Sequence, residues 1–184
     1  MNVSVFIDNS NVFKNIKQLK AVDQRWPCLY DPLQLAEKLA GNRKLVQVNF
    51  YCVHPPVYLL EEDEQHRHKY NITKKYYSAI EKLPLVIIKY GDLKGFKGQM
   101  QEKNLDTQLA TDLVTDAAFN KFDTAIIVSN DGDYVSAVES LKKFGKKIEL
   151  VFFRGRCSMN LKKCCDISRR ARLSYFKPLI FDKK

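Results

Sequence analysis

Short apolar runs alternate along the chain with longer segments in which apolar residues recur every three or four positions. A continuous apolar run of this kind is typical of a strand that is buried on both faces of a parallel sheet. The intervening segments have the spacing of amphipathic helices, which would cover that sheet. The predicted strands are residues 3–7, 45–53, 85–90, 124–129 and 148–153.

Helix signals fall between these runs. Asp31 and Pro32 are suited to the cap and the first turn of a helix that Gly41 would end. Residues 91–103 hold three of the seven glycines and are predicted to form a loop. Beyond residue 153 we expect one helix and one extended piece. The other predicted helices are residues 11–20, 61–82, 104–119 and 134–144. The pattern therefore predicts an α/β fold with helices on both faces of a parallel sheet.

Acidic side chains follow the ends of two predicted strands. Asp8 comes directly after the first strand, and Asp131 and Asp133 follow the fourth. Asp106 begins the helix before the fourth strand and shares the face of that helix with Leu109. Ligands of parallel sheets bind outside the carboxyl ends of the strands. We therefore expect these four carboxylates to meet at one edge of the sheet.

Clustered carboxylates repel one another, and each raises the pKa of the others. A hard cation such as Mg²⁺ or Mn²⁺ prefers an all-oxygen environment and would neutralise the cluster. A water activated by that cation can attack phosphorus in line. The pattern thus indicates a metal-dependent phosphodiesterase.

Each carboxylate also has a purely structural interpretation. Asp131 could cap the following helix, Asp133 could complement its dipole, and Asp106 could be an ordinary first-turn carboxylate. The helical pattern after Gly132 disfavours a hairpin turn at that position. Asp8 is the hardest to explain structurally, because a charge directly after a buried strand stabilises little.

Positive charge is concentrated in the last quarter of the chain. The net charge is +10, and residues 141–184 contain 14 basic and 3 acidic residues against 17 and 18 in the first 140. Such a region contacts the phosphates of nucleic acid or an anionic membrane surface, or it is a solvated basic face. Phe96 could stack on an unpaired base. The candidate nucleic-acid-binding residues are Lys94, Phe96, Lys97, Arg154, Arg156, Lys162, Lys163, Arg169, Arg170 and Arg172.

Several classes of protein are excluded by composition. No apolar run is long enough for a membrane helix, and the first residues do not form a signal peptide. The first 40 residues contain no glycine, which argues against a P-loop or a dinucleotide fingerprint and hence against a nucleotide cofactor. Five scattered cysteines without zinc-ligand spacing predict a reduced, cytoplasmic protein.

Three segments resemble the motifs of the NYN domain, in the LabA-like branch of the PIN-domain-like nucleases. They are residues 6–11 (FIDNSN), residues 103–106 (KNLD) with Asp112 after them, and residues 129–134 (SNDGDY). The resemblance covers residues 2–153. It implies a Rossmann-like, three-layer PIN fold with strand order 3-2-1-4-5, as a domain of residues 1–155. Residues 156–184 would be a basic extension packed on the same domain.

The resemblance also implies a divalent-metal-dependent ribonuclease. Asp8, Asp106 and Asp131 would hold Mg²⁺ or Mn²⁺, and Asp133 would be a fourth catalytic carboxylate. Asn11 would orient water or phosphate. The supporting residues would be Asp112, Ser129 and Lys103.

Two functions remain open at this point. The first is cleavage of RNA, preferentially single-stranded, and the second is a non-catalytic RNA-binding or regulatory module on the same fold. The intact acidic set favours cleavage, because a pure binding module has no reason to face phosphates with carboxylates. A phosphatase of the haloacid dehalogenase type would need a second aspartate where this chain has Ser10. RNA is the expected partner, a membrane is not, and a homodimer is left open.

Overall fold

The computed structural model of the chain describes residues 1–95, 99–155 and 157–181. Its strands are β1 (Asn2–Asp8), β2 (Lys44–Val53), β3 (Val86–Lys94), β4 (Gln101–Lys103), β5 (Thr124–Val128), β6 (Lys147–Phe152) and β7 (Ile167–Arg170). Its helices are α1 (Asn9–Val22), α2 (Pro32–Ala40), α3 (Glu64–Ile80), α4 (Leu105–Ala118), α5 (Val135–Lys143) and α6 (Met159–Cys164). Within the described ranges, no helix has the length and hydropathy needed to span a bilayer.

The strands form one sheet in the order β4-β3-β2-β1-β5-β6-β7. The five strands predicted from the apolar runs occupy the middle in the expected order and are parallel. The prediction of a five-stranded parallel sheet is incomplete, because β7 adds a parallel strand to one edge and β4 an antiparallel strand to the other. The sheet is therefore mixed and has seven strands.

The antiparallel strand corrects the interpretation of residues 91–103 as a loop. Residues Asp92–Lys94 pair with Gln101–Lys103 to form a hairpin, and residues 96–98 lie outside the description. The polar and glycine-rich composition suggested a loop, but a short exposed hairpin has the same composition because little of it is buried. This hairpin leads directly into α4.

The central strand explains where the carboxyl edge lies. Val5 and Ile7 of β1 face a core covered by α1, α2 and α3, and Phe6 faces a second core covered by α4, α5 and α6. All three side chains are fully buried. Asp8 ends this strand, on the same face as Phe6, since successive side chains alternate between the two faces.

The segment after β7 returns to the first helical layer. Phe176 packs against Trp26, Tyr30 and Phe153. The N–H of Leu179 donates to the carbonyl of Leu29 at 3.0 Å. Residues from beyond position 155 therefore belong to the first hydrophobic core, whereas the domain boundary placed at residue 155 stays a prediction.

Candidate active site

Asp8 lies at the end of β1 and caps α1. Its Oδ1 accepts the backbone N–H of Asn11 at 3.0 Å, and its Oδ2 accepts the hydroxyl of Ser129 at 2.8 Å. The residue is only 6% exposed. Burial raises the pKa of this carboxyl to about 6, against the lowering effect of the hydrogen bonds from Asn11 and Ser129. The charged form of Asp8 is therefore costly in the absence of a cation.

The hydroxyl of Tyr134 links Asp8 to Asp106. It lies 3.1 Å from Asp8 Oδ2 and 2.8 Å from Asp106 Oδ1. Burial and the two carboxylates raise the pKa of Tyr134 far above its ordinary value, so the hydroxyl keeps its proton. One proton can be donated to only one of the two carboxylates at a time. The sequence analysis included Tyr134 in the motif of residues 129–134 but gave its hydroxyl no role at the site.

The turn that carries Asp131 is fixed from several directions. The hydroxyl of Ser129 accepts the N–H of Asp131 at 3.0 Å. Asn130 donates its backbone N–H to Asn11 Oδ1 and accepts the N–H of Phe153 at 2.7 Å. The carbonyl of Asn130 accepts the N–H of Ser158, 3.1 Å away. The polar positions of this motif thus hold the backbone rigid beneath the carboxylates.

Asp106 is positioned by the start of α4. Asn104, two residues before Asp106, has a φ of +70°. Its side-chain amide donates a hydrogen bond to the carboxylate of Asp92 at 2.7 Å. Asn is among the residues that adopt this left-handed conformation most readily. At Gly91 a Cβ atom would lie 2.5 Å from Leu105, so only glycine lets α4 approach β3 this closely.

Three carboxylates come together at this edge. Oxygen atoms of Asp106, Asp131 and Asp133 all lie within 4.8 Å of one another. Asp133, predicted as a fourth catalytic carboxylate, belongs to this group. Asp8 is not one of the three, and its oxygens accept hydrogen bonds from Asn11 and from Ser129, which follows β5. Its role as a metal ligand stays a prediction.

A cleft of about 390 Å³ is lined by Asp8, Asp106 and Asp131. Lys14 lies among its acidic residues and forms no ion pair within the part of the chain that the structure describes. The sequence analysis missed Ser10, Lys14 and Glu102, although the first two follow Asp8 within two turns of helix. The lining residues are Asp8, Ser10, Asn11, Lys14, Glu102, Leu105, Asp106 and Asp131.

The donor set fits a hard divalent cation. Three carboxylates within 4.8 Å offer only oxygen, two of them are exposed, and none of the three is engaged by a Lys or Arg of the described residues. Mg²⁺ and Mn²⁺ select such ligands and keep several waters. Asp106, Asp131 and Asp133 could therefore hold one of these ions.

Three of the expected supporting residues also have structural contacts or positions of their own. Asp112 accepts hydrogen bonds from Tyr51 at 2.8 Å and from Lys89 at 2.7 Å, and so fastens α4 to β2 and β3. Lys103 is exposed and lies opposite Asp92 in the hairpin. The side-chain oxygen of Asn11 accepts from Asn130, so this residue joins α1 to the Asp131 turn.

The candidate basic residues divide into three groups. Arg154 follows β6, Arg170 is the last residue of β7, and Arg172 lies two residues beyond it. All three are exposed, as are Lys163 and Lys94. Phe96, Lys97 and Arg156 lie outside the described residues.

Two basic side chains are already engaged by the protein. Arg169 forms an ion pair with the buried Glu149, which also binds Arg43 at 2.5 Å. This guanidinium fastens β7 to β6 and to Leu39 of α2, and its assignment to nucleic-acid binding stays a prediction. Lys162 is partly engaged as well, since its ammonium lies 3.8 Å from the centre of the Phe152 ring.

Comparison with known proteins places the chain among its relatives. The sequence model of the NYN domain matches residues 2–169. No curated protein matches the chain significantly. Among solved structures, the chain is similar to VPA0982 from Vibrio parahaemolyticus, described as a protein of unknown function, with a TM-score of 0.64 and 18% identity over 96% of each chain. At this identity the likeness shows the fold alone.

Proposed function

Because the chain belongs to the NYN domain family, which is part of the PIN-like nuclease superfamily, we propose that it is a metal-dependent ribonuclease of the LabA-like branch. Its substrate is single-stranded RNA. The observation that carries the proposal is the group of three carboxylates within 4.8 Å at the carboxyl edge of the sheet. Carboxylates facing a phosphate backbone favour catalysis over binding alone, since without a cation they repel the ligand.

The residues divide into ligands and positioning groups. Asp106, Asp131 and Asp133 would hold Mg²⁺ or Mn²⁺. A divalent ion bound there supplies charge stabilisation at the phosphate and lowers the pKa of water. Asp8 and Tyr134 fix the oxygen of Asp106 through their shared hydrogen bonds. Asp133 is exposed. It is therefore also suited to orient the attacking water or to accept a proton from it.

RNA reaches the carboxylates along the basic side of the same edge. Arg154, Arg170 and Arg172 lie at or just beyond the ends of parallel strands of the sheet and would bind phosphates there. A single strand can turn its phosphate into the cleft, whereas a duplex holds both backbones on a rigid helix. The five free thiols support a reducing, cytoplasmic location.

The test is cleavage of a labelled RNA panel by the purified protein. We expect cleavage of single-stranded RNA with Mn²⁺ or Mg²⁺, slower cleavage of duplex RNA, and complete loss with EDTA. The rate should rise with pH as the attacking water ionises. Binding of RNA without cleavage of any member of the panel would replace this proposal with the non-catalytic binding function.

Lys14 provides a second test of the same cleft. We expect Lys14→Ala to weaken binding of single-stranded RNA in EDTA and to reduce the salt dependence of log Kd by about 0.7, the amount that one phosphate contact contributes in a single strand. Lys20→Ala, on the same helix but two turns further from the cleft, is the matched control. If the salt dependence of log Kd is unchanged in Lys14→Ala, Lys14 does not contact an RNA phosphate.

A further inference from the structure

Two aromatic rings stack where β2 ends beside the middle of β3, apart from the carboxylates. The imidazole of His54 lies parallel to the ring of Tyr90, with centroids 3.8 Å apart and planes 15° from parallel. The hydroxyl of Tyr90 donates to Glu81 at 2.8 Å, and Tyr77 packs edge-on against the same ring. Tyr90 is therefore held rigidly, and His54 lies flat on it.

His54 has no other evident structural task. The residue is exposed, and within the described ranges neither ring nitrogen forms a hydrogen bond. Burial against Tyr90 and the charge of Lys74 lower the pKa of the imidazole, so the ring is neutral at neutral pH. An exposed, flat ring held against Tyr90 presents a stacking surface for an unpaired base.

The pair lies at the same edge of the sheet as the proposed active site. Asp8 stands opposite Tyr51 in the sheet, and His54 is three residues beyond Tyr51, directly after the last residue of β2. This offset corresponds to about 10 Å along the strand and about 5 Å across it. Tyr90 packs against the first hydrophobic core, whereas Asp8 shares the face of Phe6 in the second, so a strand of RNA would pass over the edge of the sheet between them.

We propose that the exposed face of His54 is a stacking site for one unpaired base of the RNA. This inference rests on the proposed function and adds a base-binding position to it. Stacking accepts any base, because every base has a flat face. The site would thus favour single-stranded over duplex RNA without selecting a sequence.

The experiment measures binding of a short fluorescein-labelled single-stranded RNA in EDTA, so that cleavage does not interfere. We expect His54→Ala to weaken binding roughly 5- to 100-fold, the range for loss of one stacked base. His54→Phe should restore most of the affinity, because it keeps a flat ring. His68→Ala, an exposed histidine on α3, is the matched control and should bind as the unmodified protein does.

A second measurement separates stacking from a structural effect. The same RNA is prepared with one abasic position moved along the strand, and each version is bound to the unmodified protein and to His54→Ala. At one position the missing base should weaken binding to the unmodified protein but not to His54→Ala. Equal affinities of His54→Ala and the unmodified protein, or equal sensitivity of both to every abasic position, would overturn the stacking site alone. A protein that binds no RNA in any form would overturn the proposed function as well.

Discussion

Asp131→Asn is expected to lower metal-dependent cleavage of single-stranded RNA by at least roughly 100-fold, because the cation contributes several kcal/mol at the phosphate. The carboxylate of Asp131 is one of three within 4.8 Å, and the amide that replaces it removes a charge from the ligand set. RNA binding in EDTA should survive or tighten, because repulsion of the phosphates decreases. The measurements are single-turnover cleavage rates, Mn²⁺ affinity by calorimetry, and RNA affinity by fluorescence anisotropy.

A distant aspartate provides the control for this variant. Asp23 follows the far end of α1 and pairs with Arg25 at 2.9 Å, so Asp23→Asn should keep the full rate and Mn²⁺ affinity. The opposite pattern, with Mn²⁺ affinity and rate unchanged in Asp131→Asn, would exclude the carboxylate group as the catalytic metal site. Loss of cleavage with full Mn²⁺ affinity would show that Asp131 is not a ligand of the ion.

Asp8→Asn is expected to stabilise the metal-free protein at pH 8 by up to about 3 kcal/mol, while cleavage is lost. Burial raises the pKa of Asp8 from 3.8 to about 6. The folded state therefore holds a proton that the unfolded state releases, and the wild-type protein loses stability as the pH rises from about 4 through 6. The asparagine amide resembles the protonated carboxyl and can donate to the Tyr134 oxygen, which leaves the Tyr134 proton for Asp106.

The measurement is urea unfolding of both proteins in EDTA at pH 4 and pH 8. The gain in the free energy of unfolding should be large at pH 8 and small at pH 4, where wild-type Asp8 is protonated. Comparing the two proteins at each pH cancels the titration of other groups. Asp131→Asn, a substitution of a less buried carboxylate, should give a smaller gain. A gain in Asp8→Asn of equal size at both pH values would show that burial of the charge is not its cause.

The fold was largely predictable because its signals are local. The buried runs in β1 and β5 are apolar on both faces, and Asp31 and Gly41 bound α2 as their conformational preferences require. The position of the carboxylates at the strand ends follows from the same local pattern. The pattern could not show which carboxylate oxygens lie close to one another at the carboxyl edge of the sheet.

The missed features depend on contacts between distant positions. The hydroxyl of Tyr134 lies against Asp8, 126 residues away in the chain, and also against Asp106, so it links the two carboxylates. Nothing in the sequence distinguishes Arg169 from an exposed arginine, because its partner, the buried Glu149, is 20 residues away in the chain. Such pairings leave no periodicity in the sequence, since each partner is a single polar residue whose neighbourhood is set by the fold.

The segment that returns over the first helical layer bears on how the protein is made. Tyr30 and Pro178 form a β-bridge although they are about 150 residues apart, and contacts of such long range close slowly. A nascent chain exposes Asp8 and its strand long before Phe176 and Leu179 are synthesised to complete the core. The fold, and any activity that depends on it, is therefore expected to be complete only after residue 179 has emerged from the ribosome.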